Sequence, residues 1–330
     1  MTTKRRYAVT GGAGFIGSHL VERLVSDGHE VRVIDNLTTG KRDNLAHLPP
    51  ESYTFHEASV TDLPALREIF QGVEVVFHQA ALPSVPRSID DPLTTHEFNV
   101  TGTLNVLIAA KDNAVRRVVY AASSSAYGDI EGEFKDETMP PHPLSPYGVS
   151  KLAGEYYCQA FTAVYGLETV ALRYFNVFGA RQDETSQYAA VIPRFAGAML
   201  RGEAPIIYGD GAQSRDFTYI DNVVYGNLLA SSAPNATGQV MNLATGGRIS
   251  LLDLLDKMNA ILGTTLAPQF APERAGDIRH SRAAIQKAVD LLDFRPVVDF
   301  DTGLARTLEW YKTFVAGGTA SVADGTNRSG

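Results

Sequence analysis

Short β-branched runs alternate with amphipathic stretches through the first half of the chain. The runs fall at residues 7–9, 31–34, 53–56, 73–77, 117–121 and 169–172, and the amphipathic stretches at 15–25, 63–70, 97–111 and 147–165. Such alternation predicts strands that pair in parallel and helices that cover both faces of the sheet. We therefore expect an α/β fold built on a doubly wound parallel sheet.

The pattern changes after about residue 173, where Gly-rich and Pro-containing connections separate shorter elements. Apolar residues recur around positions 208, 219 and 241 and over 251–262 and 304–314. These elements predict a smaller α/β C-terminal lobe over 173–315, from which segments could return to the first domain, 1–172. Residues 316–330 are small and polar, so we expect a disordered tail there.

Composition excludes several classes of partner. The chain has 330 residues, of which 44% are hydrophobic, so it can bury a large core. Its formal charge of -8 gives no overall attraction for nucleic acid or a membrane surface. With Cys158 as the single cysteine no intrachain disulfide can form, and the N-terminus leads into a strand rather than a secretory apolar stretch. We expect a cytoplasmic protein without nucleic-acid or membrane partners and without a bound metal.

A glycine-rich run, Thr10-Gly-Gly-Ala-Gly-Phe-Ile-Gly17, follows the first predicted strand and opens the first predicted helix. The absent side chains let backbone amides approach a pyrophosphate at the positive end of the helix. Asp35 ends the next strand, where its carboxylate can accept hydrogen bonds from both hydroxyls of an adenosine ribose and would repel a 2′-phosphate. The sequence therefore predicts a Rossmann-type site for NAD rather than NADP within residues 1–172.

Tyr147 and Lys151 are spaced one helical turn apart and project from the same face of a predicted helix. A lysine ammonium beside the phenol would stabilise the phenolate, so we expect Lys151 to lower the pKa of Tyr147. The pair is a weak motif by itself, because Lys151 could be a solvated helix residue. Its place after the serines at 123–125 and after the glycine-rich run favours a general base.

Several motifs together resemble a known family. The Gly11/Gly14/Gly17 spacing, the Ser123 run before Tyr127-Gly128 and the Tyr147-Gly-Val-Ser-Lys151 segment resemble the extended short-chain dehydrogenase/reductases. Three further runs look more closely like UDP-hexose 4-epimerases: His78-Gln-Ala-Ala81, Leu172-Arg-Tyr-Phe-Asn-Val-Phe-Gly179 and Arg274-Ala-Gly-Asp277. The resemblance spans residues 6–312.

The resemblance implies a mechanism. Tyr147 takes the proton of the sugar 4-hydroxyl while hydride leaves C4 for tightly held NAD, and the same hydride returns to the other face of the ketone. Lys151 would also hold the nicotinamide ribose, and Ser123 would hydrogen-bond the reacting oxygen with Ser124 and Ser125 assisting. Dehydratases of the family carry an Asp-Glu pair where this chain has Ser124 and Ser125, so elimination lacks its acid and base.

The resemblance also implies the remaining binding residues. Asp62 could contact the adenine or cap a helix; Arg215 and Arg274 would grip the diphosphate, although either could be a surface ion pair; Tyr208 could be a core residue. The cofactor candidates are Gly11, Gly14, Phe15, Ile16, Gly17, Asp35, Asn36, Thr39, Gly40, Asp62, Ala80, Ala81, Asn99, Tyr147 and Lys151. The substrate candidates are Ser84, Arg87, Ser123, Tyr147, Asn176, Ala190, Val191, Tyr208, Arg215, Arg274, Asp277 and Ser281.

Ser281 bears on the choice of sugar. It lies four residues after Asp277, where some relatives of the family carry a bulky aromatic, and a small side chain leaves room for an N-acetyl group. With the loop at 84–88 and the stretch 181–193, this resembles epimerases that act on UDP-N-acetylglucosamine and its galacto epimer, with UDP-glucose and UDP-galactose as a second pair.

Three alternatives stay open. Arg87 or Arg181 could pair with the C6 carboxylate of UDP-glucuronate, a ketoreductase could consume external NADH, and the fold could serve as a non-catalytic NAD sensor. The helices at 97–111 and 147–165 resemble those that form a four-helix dimer interface in the family. We therefore expect a homodimer, although the same apolar residues could pack within one chain.

Overall fold

The computed structural model describes residues 4–130, 132–184, 189–273 and 279–323. Its strands are β1 (Arg6–Thr10), β2 (Glu30–Asp35), β3 (Thr54–Glu57), β4 (Val75–His78), β5 (Arg117–Ser123), β6 (Glu168–Tyr174), β7 (Val177–Phe178), β8 (Ile206–Tyr208), β9 (Ser214–Arg215), β10 (Thr218–Tyr219), β11 (Gln239–Leu243), β12 (Ile249–Ser250), β13 (Gln269–Ala271) and β14 (His280–Ser281). Its helices are α1 (Phe15–Ser26), α2 (Leu63–Ile69), α3 (Val85–Asp90), α4 (Pro92–His96), α5 (Gly102–Asp112), α6 (Pro146–Tyr165), α7 (Val191–Leu200), α8 (Ile220–Ser232), α9 (Leu251–Leu262), α10 (Gln286–Leu292) and α11 (Phe300–Ala323).

A seven-stranded parallel sheet forms the centre of the described chain, in the order β11-β6-β5-β4-β1-β2-β3. Alternate residues of its strands bury opposite faces: Val119 packs with α1 and α8, and Val118 packs with α2, α5 and α6. This is the two-residue period of a strand that is covered on both sides. The predicted doubly wound α/β fold is confirmed.

The two halves of the chain are interleaved in space. The expected boundary between residues 172 and 173 falls inside β6, and the sheet takes its edge strand β11 from residues 239–243. The later residues form three small sheets, which pair β7 with β10, β8 with β13, and β9 with both β12 and β14. These small sheets form the C-terminal lobe beside the seven-stranded sheet.

Two helices differ from their predicted form. Residues 97–111 begin with a π-helical turn at Glu97–Thr101 before α5, where the sequence predicts one regular helix. Helix α11 reaches Ala323, so residues 316–323 are helical where the sequence predicts a disordered tail. No helix of the described residues is both long and apolar enough to cross a membrane.

Candidate active site

A cavity lies at the carboxyl ends of β1, β2, β4, β5 and β6, where a doubly wound sheet places its ligands. Twelve of the predicted cofactor residues line it: Gly11, Gly14, Phe15, Ile16, Gly17, Asp35, Asn36, Thr39, Ala80, Ala81, Tyr147 and Lys151. The remaining lining residues were not predicted from the sequence as cofactor residues. They are Ile34, Thr38, Ala58, Val60, Gln79, Leu82, Pro83, Phe98, Ala121, Ala122 and Tyr174. Most of these are small or apolar, so only the fold could bring them to one site.

The glycines make a close-fitting cradle at the start of α1. Gly11 has a φ of +68°, and a Cβ there would lie 2.7 Å from the Ala80 nitrogen. A Cβ on Gly17 would lie 2.1 Å from the Gly11 carbonyl oxygen. Gly14 is the N-cap and has no side chain to satisfy the first backbone N–H groups of α1. These features fit the diphosphate of a dinucleotide.

The Asp35 carboxylate lies beside this cradle. It accepts hydrogen bonds from the backbone N–H groups of Ala13 at 3.0 Å and Leu37 at 2.8 Å. Burial nevertheless raises its pKa above the usual range. Gly40 packs directly against it, since a Cβ there would lie 2.6 Å from a carboxylate oxygen. Gly40 therefore makes room for Asp35 and does not itself line the cavity.

Two predicted cofactor residues have other contacts in the structure. Asp62 caps α2 by accepting a hydrogen bond from the Ala65 N–H at 3.0 Å, and Ala58 and Val60 line the nearby wall of the cavity instead. Asn99 is buried behind the wall. Its amide oxygen accepts a hydrogen bond from the Leu82 N–H at 2.7 Å. Its amide nitrogen donates to the Leu82 carbonyl oxygen at 3.1 Å and to the Ser150 hydroxyl at 3.0 Å. Asn99 thus supports a lining residue, because its side chain is already used in linking the β4–α3 loop to α6.

Ser123, Tyr147 and Lys151 meet at the end of β5. The hydroxyl of Ser145 caps α6, and this fixes the first turn that carries Tyr147. The Ser123 side chain lies close enough to the Tyr147 phenol to oppose the rise of its pKa. The Ser123 oxygen also accepts a hydrogen bond from the Ser125 hydroxyl at 2.7 Å. The structure therefore brings Tyr147 and its predicted serine partner together, with Ser125 behind them.

The electrostatics of the pair differ from the prediction. Burial raises the pKa of Tyr147, and only the hydrogen bond to Ser123 opposes that rise. The ammonium of Lys151 donates to the Ala121 carbonyl oxygen at 2.8 Å. The expected lowering of the Tyr147 pKa by Lys151 is therefore not found, because the lysine charge is directed to the backbone of β5. Burial lowers the pKa of Lys151 to about 8, so its amine stays mostly protonated at neutral pH.

A second cavity lies in the C-terminal lobe. Five of the predicted substrate residues line it: Asn176, Ala190, Val191, Tyr208 and Arg215. Gln182 and Gln213 line it too, and their buried amide oxygens find no hydrogen-bond donor among the described residues. An N–H of a base or a hydroxyl of a ribose would supply such a donor. The sequence did not point to these glutamines, since a loop glutamine is usually exposed.

Apart from Ser123 and Tyr147, the other substrate candidates lie outside the lining of both cavities or outside the described residues. Arg274 and Asp277 are not among the described residues. Ser84, at a φ of 101°, and Arg87 belong to the turn that begins α3, and Ser84 accepts a hydrogen bond from the Arg87 N–H. Ser281 is buried in β14, directly beside Arg215 of β9 in the parallel pairing.

Comparisons with known proteins agree with this geometry. Residues 7–244 match the model of the family described as "Epimerase: NAD dependent epimerase/dehydratase family". A protein named putative UDP-glucose 4-epimerase from Methanocaldococcus jannaschii is 38% identical over 92% of this chain and 97% of its own length. The UDP-glucose 4-epimerase of Mycolicibacterium smegmatis is 38% identical over 93% of this chain and 98% of its own.

A solved structure extends the likeness to three dimensions. The UDP-N-acetylglucosamine 4-epimerase of Methanobrevibacter ruminantium M1, in complex with UDP-N-acetylmuramic acid, superposes with a TM-score of 0.90. It is 40% identical in sequence, and the match covers 95% of this chain and 99% of that one. The likeness therefore extends over both the sheet and the C-terminal lobe.

Proposed function

The chain belongs to the NAD-dependent epimerase/dehydratase family, and on this premise we propose that it inverts C4 of a UDP-hexose, interconverting UDP-N-acetylglucosamine and its galacto epimer. One observation carries the proposal. The phenol of the half-buried Tyr147 lies close to the Ser123 side chain in the cavity that Gly11, Gly17 and Asp35 also line. A base and a hydrogen-bond donor thus lie within a dinucleotide site, as oxidation of an alcohol requires.

The side chains of this site divide the work of the reaction. Tyr147 removes the proton of the sugar 4-hydroxyl and holds it until the hydroxyl re-forms. Ser123, which accepts a hydrogen bond from Ser125, donates its own to the sugar oxygen while the ionised Tyr147 takes the proton of the 4-hydroxyl. NAD, which the wall formed by Gly11, Gly17 and Asp35 would hold, would supply the hydride chemistry at C4.

Elimination of a leaving group would need an acid and a base close to Ser123. The next two residues are Ser124 and Ser125, whose hydroxyls are too weak as acids and too weak as bases for these roles near neutral pH. The 4-keto sugar therefore turns within the site and is reduced again. This favours an epimerase over a dehydratase, and it also means that the cofactor is regenerated in each turnover.

The second cavity suits the nucleotide. Arg215 supplies a cation for the diphosphate, and the buried amide oxygens of Gln182 and Gln213 can accept hydrogen bonds from uracil or ribose. Arg181 is less suited to the carboxylate of UDP-glucuronate, because its guanidinium already pairs with Glu22 of α1 and donates to the Asn44 carbonyl oxygen at 3.1 Å. Arg87 could still pair with the C6 carboxylate, so UDP-glucuronate is included among the substrates to be tested.

The likeness to the M. ruminantium enzyme supports the acetylated sugar. Ser281 does not line either cavity, but its small side chain adds no bulk beside Arg215, which lines the second one. The UDP-glucose pair is the second candidate, because two curated relatives with 38% identity carry that name. The two pairs differ only at the sugar 2-substituent. Direct turnover of both pairs therefore decides between them.

Incubation of the purified protein with separate UDP-sugars and no added cofactor tests the proposal. We expect NMR to show the C4 epimer of UDP-N-acetylglucosamine, with slower conversion of UDP-glucose and none of UDP-glucuronate. Deuterium placed at C4 should stay in the product, because the same hydride returns. A faster turnover of the unacetylated pair would contradict the sugar assignment. Absence of any epimer, or a requirement for added NADH, would overturn the epimerase proposal in favour of a sensor or a reductase.

We further propose that the protein is a homodimer that pairs through α6. Large apolar side chains lie exposed along it: Val149 is 53% exposed and Tyr156 is 56% exposed. Their spacing of seven residues places both on one stripe of the helix. Such a stripe is typical of an interface, since a monomer would leave it in water.

Sedimentation of Tyr156→Arg tests the dimer. We expect the unaltered chain to sediment as a dimer at micromolar concentration and Tyr156→Arg as a monomer, because a charge would be buried in the apolar interface. Val297→Arg is the matched control, because Val297 is 57% exposed but lies far from α6 in sequence and outside every helix. A monomeric unaltered chain, or equal dissociation of both variants, would contradict the proposed interface.

A further inference from the structure

A chain of buried charges extends from the active site into the interior of the protein. Glu155 follows Lys151 by one turn of α6, and its carboxylate pairs with the guanidinium of Arg173 from β6. The pair has two hydrogen bonds, at 2.9 Å from Nε to Oε1 and 2.7 Å from Nη2 to Oε2. The side chains of Arg173 and Glu155 are only 5% and 2% exposed. A buried ion pair is rarely stabilising by itself, so its position calls for another explanation.

The ammonium of Lys151 is buried, and burial disfavours its protonated form. The residue is 4% exposed, and its Nζ lies 5.1 Å from the centroid of the Tyr120 ring. The ring face and the Ala121 carbonyl oxygen both favour a cation. Burial still lowers the pKa of Lys151 to about 8, and the charge of Glu155 opposes this fall.

The other titratable groups around Lys151 are neutral. His78 of β4 has its pKa lowered to about 3 by burial. Burial raises the pKa values of Tyr120 on β5 and of Tyr147 and Cys158 on α6. Among the described residues that face Lys151 from these elements, Glu155 is therefore the one that can carry a negative charge.

Arg173 in turn keeps Glu155 ionised. Burial raises the pKa of Glu155, and the hydrogen bonds and charge of Arg173 oppose that rise. The guanidinium is itself held in place, because it lies 4.5 Å from the centroid of the Tyr127 ring, whose hydroxyl donates to the Asn242 amide oxygen at 2.7 Å. Positive, negative and positive groups thus follow one another from Lys151 to Arg173.

We propose that Glu155 is a positioning residue for catalysis: its carboxylate, held by Arg173 one helical turn from Lys151, keeps the Lys151 ammonium charged beside Tyr147. The inference rests on the proposed epimerase function, in which the charged Lys151 ammonium would hold the nicotinamide ribose of the cofactor beside Tyr147. It adds a role for two residues that lie outside the cavity. Loss of the Glu155 charge should make Lys151 release its proton at a lower pH.

The pH profile of kcat/KM tests this inference. In Glu155→Gln we expect the high-pH limb to move to lower pH by about one unit, since removing a nearby buried charge has an effect of this order. Activity should be recovered when the pH is lowered. The single variant leaves Arg173 buried with a neutral partner, so the double variant Glu155→Gln/Arg173→Met removes both charges and provides a second test. We expect the same shift of the limb in the double variant.

Glu168→Gln is the matched control. Glu168 pairs with the buried Arg117 at 2.8 Å across β6 and β5, and Arg117 is 2% exposed. We expect this variant to lower Tm without moving the high-pH limb. A stable Glu155 variant whose limb coincides with that of the unaltered protein would overturn the inference.

A second measurement does not depend on turnover. In protein labelled with ¹³C at the lysine ε carbon, the Lys151 signal, identified by its absence in Lys151→Met, should titrate at lower pH in Glu155→Gln than in the unaltered chain. An unchanged titration would overturn the inference even if the enzyme is active. If no UDP-sugar is epimerised, the proposed function fails while this titration still decides the role of Glu155.

Discussion

Tyr147→Phe is expected to lower kcat for epimerisation by about 10³-fold, which is within the range that a general base contributes. The ring would still fill the same space, so fold and NAD content should be unchanged. The variant loses the group that would take the proton of the 4-hydroxyl. The Ser123 hydroxyl, which lies beside the phenol, cannot replace it as a base. Steady-state rates by NMR, with NAD released from denatured protein and quantified, measure both effects.

The pH dependence of the same variant adds a second criterion. Because burial raises the pKa of Tyr147, the phenolate fraction and hence kcat/KM should rise with pH in the unaltered protein. The rise should end where Lys151 loses its proton, at about pH 8. The residual activity of Tyr147→Phe should lack the rising limb. Tyr157→Phe, on the same helix but outside the lining of the cavity, is the control that should keep full activity. Full kcat in Tyr147→Phe would exclude it as the base.

Local sequence predicted the parts of the site that depend on local geometry. Gly11, Gly14 and Gly17 form the cradle because the tight turn between β1 and α1 requires glycines within one short segment. Tyr147 and Lys151 share a helix face because of their spacing alone. Such features need no knowledge of distant residues, and the structure contains them in the expected places.

Residues whose contacts come from distant segments could not be assigned in this way. The side chain of Asn99 is occupied by Leu82 and Ser150, which lie 17 and 51 residues away in sequence. The Lys151 ammonium donates a hydrogen bond to the Ala121 carbonyl oxygen on β5. The spacing of Lys151 from Tyr147 in the sequence could not reveal this contact. Gln182 and Gln213 are candidates because their amide oxygens are buried without a hydrogen-bond donor in the part of the chain that the structure describes. Tertiary packing decides each of these, and no local pattern encodes it.

Gly17→Ala is expected to abolish NAD retention, with a rise in the Kd for NAD of about 100-fold or more, equivalent to roughly 2.7 kcal/mol. The new Cβ would lie 2.1 Å from the Gly11 oxygen and 2.8 Å from both the Gly11 carbonyl carbon and the Gly12 Cα. All of these are backbone atoms, so no side chain can rotate to relieve the clash. The glycine-rich turn itself must shift, and this turn supplies the amides for the diphosphate.

The control for Gly17→Ala must separate lost binding from lost stability. Gly226→Ala provides it, because its Cβ would lie 2.3 Å from a Leu243 methyl where α8 packs on β11, away from the cradle. We expect both variants to have a lower Tm but only Gly17→Ala to be purified without NAD. Isothermal titration with NAD then gives the two Kd values directly. Gly17→Ala protein that retains as much NAD as the unaltered chain would show that the cradle does not hold the diphosphate.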